Sequence, residues 1–192
     1  NLLDYTSLTP EEKAEVVTGV ISGATSSVIL SEPRVIGERI NPTGKSKLKE
    51  AIKNCDMQYI IGEGLKQAEL VNVLDVNMGV PGIDEPYMME KTVKELQVVT
   101  DLPLQIDSSN PDALEAAMRI YAGKPMVNSV NGKKESLDSV LPLVKKYGGV
   151  LIALTLDENG IPNTAEGRVD IAKRIIAEAE KYGIGVKDIV VD

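Results

Sequence analysis

From Val35 to Asp192 the chain alternates between short apolar runs and longer amphipathic segments. The runs Arg34 to Ile40, Val73 to Met78, Leu104 to Asp107, Met126 to Ser129, Val150 to Leu156 and Asp188 to Val191 predict strands, and those that are continuously apolar predict burial on both faces. The segments between them, Lys45 to Leu70, Pro86 to Val99, Pro111 to Tyr121, Lys134 to Tyr147 and Glu166 to Tyr182, predict helices. Gly148, Gly149 and Gly183 stand where a helix-closing glycine belongs. A repeating β-α unit of this kind predicts a parallel sheet with right-handed crossovers.

Residues 1–34 follow a different pattern and are read as an N-terminal helix and connector, separate from a domain over 35–192. Thr9-Pro10-Glu11-Glu12 reads as a helix start, with Thr9 as cap, Pro10 in the first helical position and Glu12 closing a capping box. The helix is expected to run to about Ile21. Ser22 to Ser31, small and rich in hydroxyls, then reads as a linker or a loosely packed crossover.

Two architectures begin with β-α repeats, and the polar residues at the strand ends discriminate between them. A doubly wound nucleotide fold places a Gly-rich turn after its first strand; a (β/α)₈ barrel places functional groups at the C-terminal ends of many strands. Here Glu38 and Asn41, Asp75 and Asn77, Asp107, Asn128, Asp157 and Asp192 fall at successive strand ends, and no G-x-G-x-x-G follows the first. The expected fold is therefore α/β, a TIM (β/α)₈ barrel. Because about six strands precede Asp192, the barrel is expected to be cut short after about the sixth strand.

Composition narrows the chemistry. The 192 residues carry a formal net charge of −8, which argues against a nucleic-acid surface, and no apolar run approaches the ~18 residues of a membrane span. There is no His, which removes the commonest general base and metal ligand, so acid-base work falls to carboxylates, amides, Lys or Tyr. Cys55 is the one cysteine, expected to pack beside Ile52 and Met57; it excludes an internal disulfide and a thiolate metal cluster and suits a reducing cytoplasm. No metal site is expected.

Asp75 and Asn77, two apart on one strand, should face the same side. Ser109 or Asn110 has an ordinary alternative role as cap of the helix opening at Pro111, and Asn128 as a loop amide bonded to backbone. Carboxylates and amides without cations suit a planar heterocycle whose adjacent N–H donors one carboxylate can accept in parallel. An acidic Mg²⁺ or Ca²⁺ site is the competing chemistry.

Five stretches, VIGERINPTG, VLDVNMGVPGIDE, LPLQIDSSNPDALEAAMR, NSVNGK and ALTLDENGIP, together resemble the pterin-binding family over about Arg34 to Asp192. Within it they are most similar to the methyltetrahydrofolate-binding domain of cobalamin-dependent methionine synthases and to methyltetrahydrofolate:corrinoid protein methyltransferases. The resemblance implies a barrel mouth that binds 5-methyltetrahydrofolate and passes its N5-methyl group to Co(I) of a cobalamin or other corrinoid carried by a partner protein or domain. Carried over, Glu38, Asn41, Asp75, Asn77, Asp107, Asn128 and Asp192 are the substrate-binding set, with Asp107, Asn128 and Asp192 bonding the pterin. Gly79 to Asp84 and Asp157 to Pro162 would be mouth loops. A catalytic Asn is implied on a seventh strand, beyond Asp192, so the isolated piece is expected to be inactive. Homocysteine activation on zinc would belong to a preceding domain. The alternatives are a dihydropteroate synthase-like enzyme and a folate-binding module without activity of its own.

Overall fold

The computed structural model describes residues 19–192, so the capping box at Thr9 to Glu12 and nearly all of the helix expected from it lie outside the described residues. That helix does not extend to Ile21. Val20–Ser22 is a strand, β1, paired antiparallel with β2, Ser27–Ile29, in the segment read as a linker. The stretch of four residues between them is the turn of a hairpin, and its threonine and serine find partners: Thr25 and Ser26 both donate to Asp101, through its carboxylate and its carbonyl.

The remaining strands are β3 (Ile36–Ile40), β4 (Val73–Asn77), β5 (Leu104–Asp107), β6 (Met126–Asn131), β7 (Val150–Leu154) and β8 (Ile189–Val191). They form one six-stranded parallel sheet in the order β3-β4-β5-β6-β7-β8, each strand beside its successor. The helices are α1 (Ser46–Lys53), α2 (Met57–Leu65), α3 (Glu85–Val99), α4 (Pro111–Ile120), α5 (Lys134–Tyr147) and α6 (Ala165–Lys181). Sequential order with a helix in every crossover is the wall of a TIM-like barrel, open between β3 and β8 among the described residues. The α/β barrel expectation holds.

The period-two alternation of each strand divides the apolar residues into two clusters. Leu74 and Val76 of β4, Leu104 and Ile106 of β5, Val127 of β6 and Leu151 of β7 join the helices in the main core. Val73, Met126, Val150 and Ile152 point the other way and pack around Ile21 of the hairpin. The hairpin thus lies across the N-terminal ends of the strands and forms the floor of the barrel. Ser22 exchanges two main-chain hydrogen bonds with Lys124, at 2.9 and 3.1 Å. The Tyr121 hydroxyl donates to the Ser22 carbonyl at 2.8 Å and accepts from the Leu104 amide at 3.0 Å. Burial pushes this hydroxyl up to about 12, so it stays a donor at any ordinary pH. Tyr121→Phe leaves the Leu104 amide without its acceptor and removes one of the two donors to the Ser22 carbonyl, and should destabilise the fold by about 1–3 kcal/mol, read as a lower urea midpoint at unchanged slope.

The helical stretch expected over Lys45 to Leu70 is broken in the middle. Cys55 takes φ +53°, and the Cys55 and Asp56 amides return to the Ile52 and Ala51 carbonyls at 3.1 and 2.8 Å. This is a Schellman closure with cysteine in the place usually taken by glycine. Asp56 then caps α2 by accepting from the Tyr59 amide at 3.1 Å. Cys55 packs against the core near Met57, as expected. Gly148 (φ +79°) and Gly183 (φ +78°) do follow α5 and α6 in the left-handed region, where a side chain would be strained.

Candidate functional site

The C-terminal ends of β3 and β4 bring two amides onto one carboxylate at the end of β5, with Asn128 of β6 beside it in register. Asp107 and Asn77 stand opposite each other in the β4–β5 register, and Asp107 and Asn128 in the β5–β6 register. Asn77 Nδ2 donates to Asp107 Oδ2 at 3.0 Å and Asn41 Nδ2 to the same oxygen at 3.4 Å. Both asparagines are oriented by local turns, Asn77 Oδ1 accepting from the Gly79 amide at 2.8 Å and Asn41 Oδ1 from the Thr43 amide at 3.0 Å. With their oxygens engaged, the NH₂ groups are free to donate to the carboxylate. Burial raises the Asp107 pKa, Asn77 opposes that rise, and Glu38 and Glu85 add to it.

One layer deeper, Asp75 is fully buried and accepts from Gln105 Nε2 at 2.6 Å. Burial first, then the nearby Asp107 and Glu38 carboxylates, push Asp75 up to about 7 against the opposing Gln105 hydrogen bond and the nearby Asn41 amide. Asp75 and Asn77 face the same side of β4, as their spacing requires, but only Asn77 reaches the mouth.

The other expected residues are more scattered. Glu38 is exposed, and its carbonyl and that of Asn41 take the Lys45 ammonium at 2.6 and 2.9 Å. Asn128 is half-buried and joins the frame through its main-chain carbonyl, which accepts from the Ser108 amide at 3.0 Å. Asp192, at the exposed end of β8, is held by its backbone: its carbonyl accepts from the Thr155 amide and hydroxyl, both at 2.8 Å. Arg39 turns outward onto Glu63, its Nε and Nη2 at 3.0 and 2.7 Å from one carboxylate oxygen. Lys66 first and Arg39 next hold Glu63 below the usual carboxylate range despite its burial. The first-strand guanidinium therefore belongs to the helix layer.

Three site residues escape the sequence reading. Gln105 sits two residues before Asp107, and the alternation that singled out Asp75 and Asn77 would have found it. Ser108 is buried, accepts from the Asn110 amide at 2.9 Å and donates to Glu85, which ties the start of α3 to the mouth. Glu85 carries no signal beyond its place in a helix's first turn. Asn110 does cap α4, accepting from Asp112 at 3.0 Å, in line with the ordinary reading of that residue.

A separate cleft of about 540 Å³ lies between the β7–α6 loop and α6, lined by Asp157, Ile161, Pro162, Asp170 and Arg174 among others. Arg174 reaches Asp157 at 3.2 Å and Glu158 at 3.8 Å, closing one side of it. None of the residues around Asp107 lines this cleft. No cluster of three or more His, Cys, Asp or Glu able to hold a metal ion occurs among the described residues, and no helix among them is long and apolar enough to cross a membrane.

Chemically, the arrangement is an acceptor: a carboxylate fixed by two amides where the strands end, suited to N–H donors. The model of a family described as pterin binding enzyme matches residues 37–192. The chain is 32% identical over 161 residues to the methylcorrinoid:tetrahydrofolate methyltransferase of Eubacterium limosum, covering 82% of this chain and 59% of that protein. It is 30% identical over 165 residues to the methionine synthase of Mycobacterium tuberculosis, covering 82% of this chain and 14% of that protein. The chain thus spans less than two thirds of either relative. Among solved structures, a dihydropteroate synthase from Xanthomonas albilineans in complex with 7,8-dihydropteroate superposes with a TM-score of 0.65 at 21% identity, over 90% of this chain and 63% of that one. That likeness is one of fold.

Proposed function

Because the chain belongs to the pterin-binding enzyme family, we propose that its polar mouth takes the pterin ring of 5-methyltetrahydrofolate and serves transfer of the N5-methyl group between that folate and the cobalt of a corrinoid carried by a partner protein or domain. The observation that carries this reading is the Asp107 carboxylate, whose Oδ2 is fixed by Asn41 and Asn77. Two donors on one oxygen hold the carboxylate plane, so its acceptor directions are set before a ligand arrives. A pterin offers adjacent ring N–H and amino donors that match one carboxylate in parallel. In this reading Asp107, Asn128 and Asp192 bond the ring, and Glu38, Asn41, Asp75 and Asn77 support them.

The residues at hand position and polarise. A methyl group on a tertiary amine leaves only when its nitrogen gains a proton or a strong hydrogen bond, and a site without histidine must arrange that with carboxylates and amides. The relatives' names favour methyl transfer over dihydropteroate synthesis, and the name of the Eubacterium limosum protein writes the transfer from corrinoid to folate. The same binding site serves both directions, since a reaction and its reverse share one transition state. Activating homocysteine on zinc would fall to a separate domain, because this chain has no His and one Cys.

Calorimetric titration of 5-methyltetrahydrofolate tests the assignment. The chain should bind it, and Asn128→Ala should lose about 1–3 kcal/mol, roughly a fivefold to hundredfold weaker affinity. Equal affinity of the two proteins would remove Asn128 from the site. Condensation of a pterin pyrophosphate with para-aminobenzoate, without any affinity for the methylated folate, would replace the proposal with dihydropteroate synthesis.

A further inference from the structure

The deepest polar group in the barrel is an incomplete pair. Asp75 and Gln105 lie side by side in the β4–β5 register, are 0% and 2% exposed, and share one hydrogen bond of 2.6 Å. Their other oxygens, Asp75 Oδ2 and Gln105 Oε1, are buried without a hydrogen-bond partner. Two acceptors and no donor is an expensive arrangement away from water. A single proton on Asp75 supplies the missing donor. Turning the Gln105 amide over does not remove the need, because two oxygens would then face each other at 2.6 Å with nothing between them.

The charged surroundings favour the same proton. Asp107 on β5 and Glu38 on β3 are the ionisable groups that act on Asp75, both carboxylates, with Glu85 at the start of α3 acting on Asp107 in turn. No cation acts on Asp75 among these groups; its remaining polar neighbours are the Gln105 and Asn41 amides. A second anion beneath Asp107 would be desolvated, unpaired and repelled.

We propose that Asp75 and Gln105 form a neutral acid–amide pair in the folded, ligand-free protein, with the proton on Asp75, and that Gln105 is a positioning residue which holds this acid so that Asp107 above it is the only ionised carboxylate of the two. The proposal deepens the pterin reading by saying which of two neighbouring carboxylates faces the ligand as an anion. It is tested without ligand, so it stands or falls independently of whether a folate binds.

Carbon-13 NMR of aspartate-labelled protein reads each carboxyl separately. In mildly acidic buffer Asp75 should show the shift of a protonated carboxyl while Asp107 shows that of a carboxylate. Asp75→Asn mimics the neutral acid and should leave the Asp107 titration where it was. An ionised Asp75 in the wild-type protein, or an Asp107 midpoint that falls in the variant, would overturn the proposal, since the latter means that a charge had been removed. Should Asp75→Asn fail to fold, the wild-type spectrum still decides the proton, and Gln105→Leu decides the partner: the infrared carbonyl band of the acid should move to higher frequency when its amide is removed, and an unmoved band denies Gln105 the role. Stability supplies a further readout. A carboxyl that titrates at about 7 when folded and in the ordinary aspartate range when unfolded keeps its proton longer in the folded chain. Its contribution therefore weakens as pH rises from about 4 to about 7 and is level above that, and Asp75→Asn should lose this slope.

Discussion

Asp107→Ala should abolish measurable pterin binding and at the same time make the protein harder to unfold at neutral pH. The binding loss follows from the proposed contact. A carboxylate accepting two N–H donors makes two charge-assisted hydrogen bonds of about 1.5–3 kcal/mol each, so removing both should weaken 5-methyltetrahydrofolate at least a hundredfold in a calorimetric titration. The stability gain follows from the surroundings. Asp107 is held up by burial and by Glu38 and Glu85, with Asn77 opposing, so at neutral pH the folded chain maintains a carboxylate in a place that disfavours one. A group whose folded pKa is raised weakens the fold as pH climbs through that value. Removing it relieves the strain, at the expense of two amide donors left to water at the open mouth. A variant that loses binding and stability together would mean that Asp107 is structural, and would move the binding site elsewhere.

Ile21→Ala should cost about 2–5 kcal/mol, the range for emptying a fully buried aliphatic site. Ile21 is 0% exposed and fills the space among Val73, Met126, Val150 and Ile152 at the bottom of the barrel. Those four come from three different strands, so the loss should appear as a single cooperative transition at lower denaturant, measured by circular dichroism, rather than as early melting of the hairpin alone. An effect under about 0.5 kcal/mol, the level of a surface substitution, would show that the hairpin rests on the sheet without completing it.

Much of the barrel wall could be read from residues 35–192. The reason is that parallel strands buried on both sides must be apolar nearly throughout, so Val150 to Leu154 and Leu104 to Ile106 stand out from the helices around them. The floor could not be read, because Val20 to Ile29 holds only two strands of three residues and its one decisive contact, Ile21, is made to residues 52 to 131 positions away. Nor could the break at Cys55, where local amphipathic periodicity continues past a residue that tertiary packing holds at positive φ. At the mouth, Asn41, Asn77 and Asp107 were legible because they are polar where a strand ends. Gln105 was passed over inside a run that reads as core, although its spacing of two from Asp107 marks it, and Glu85 looks like any acidic residue at a helix start.

The alternation along β4 has a further consequence. Val73, Asp75 and Asn77 lie on one face, contributing in turn to the floor, the buried pair and the mouth, while Leu74 and Val76 serve the helix layer. A slip of one residue against β5 would turn two aliphatic side chains into the lumen and thrust a carboxylate and an amide among helices. The polar positions of β4 therefore also fix its register. A misaligned strand loses its floor, its buried Asp75–Gln105 pair and its polar mouth in one step, so the assembly of all three layers hangs on the same three positions.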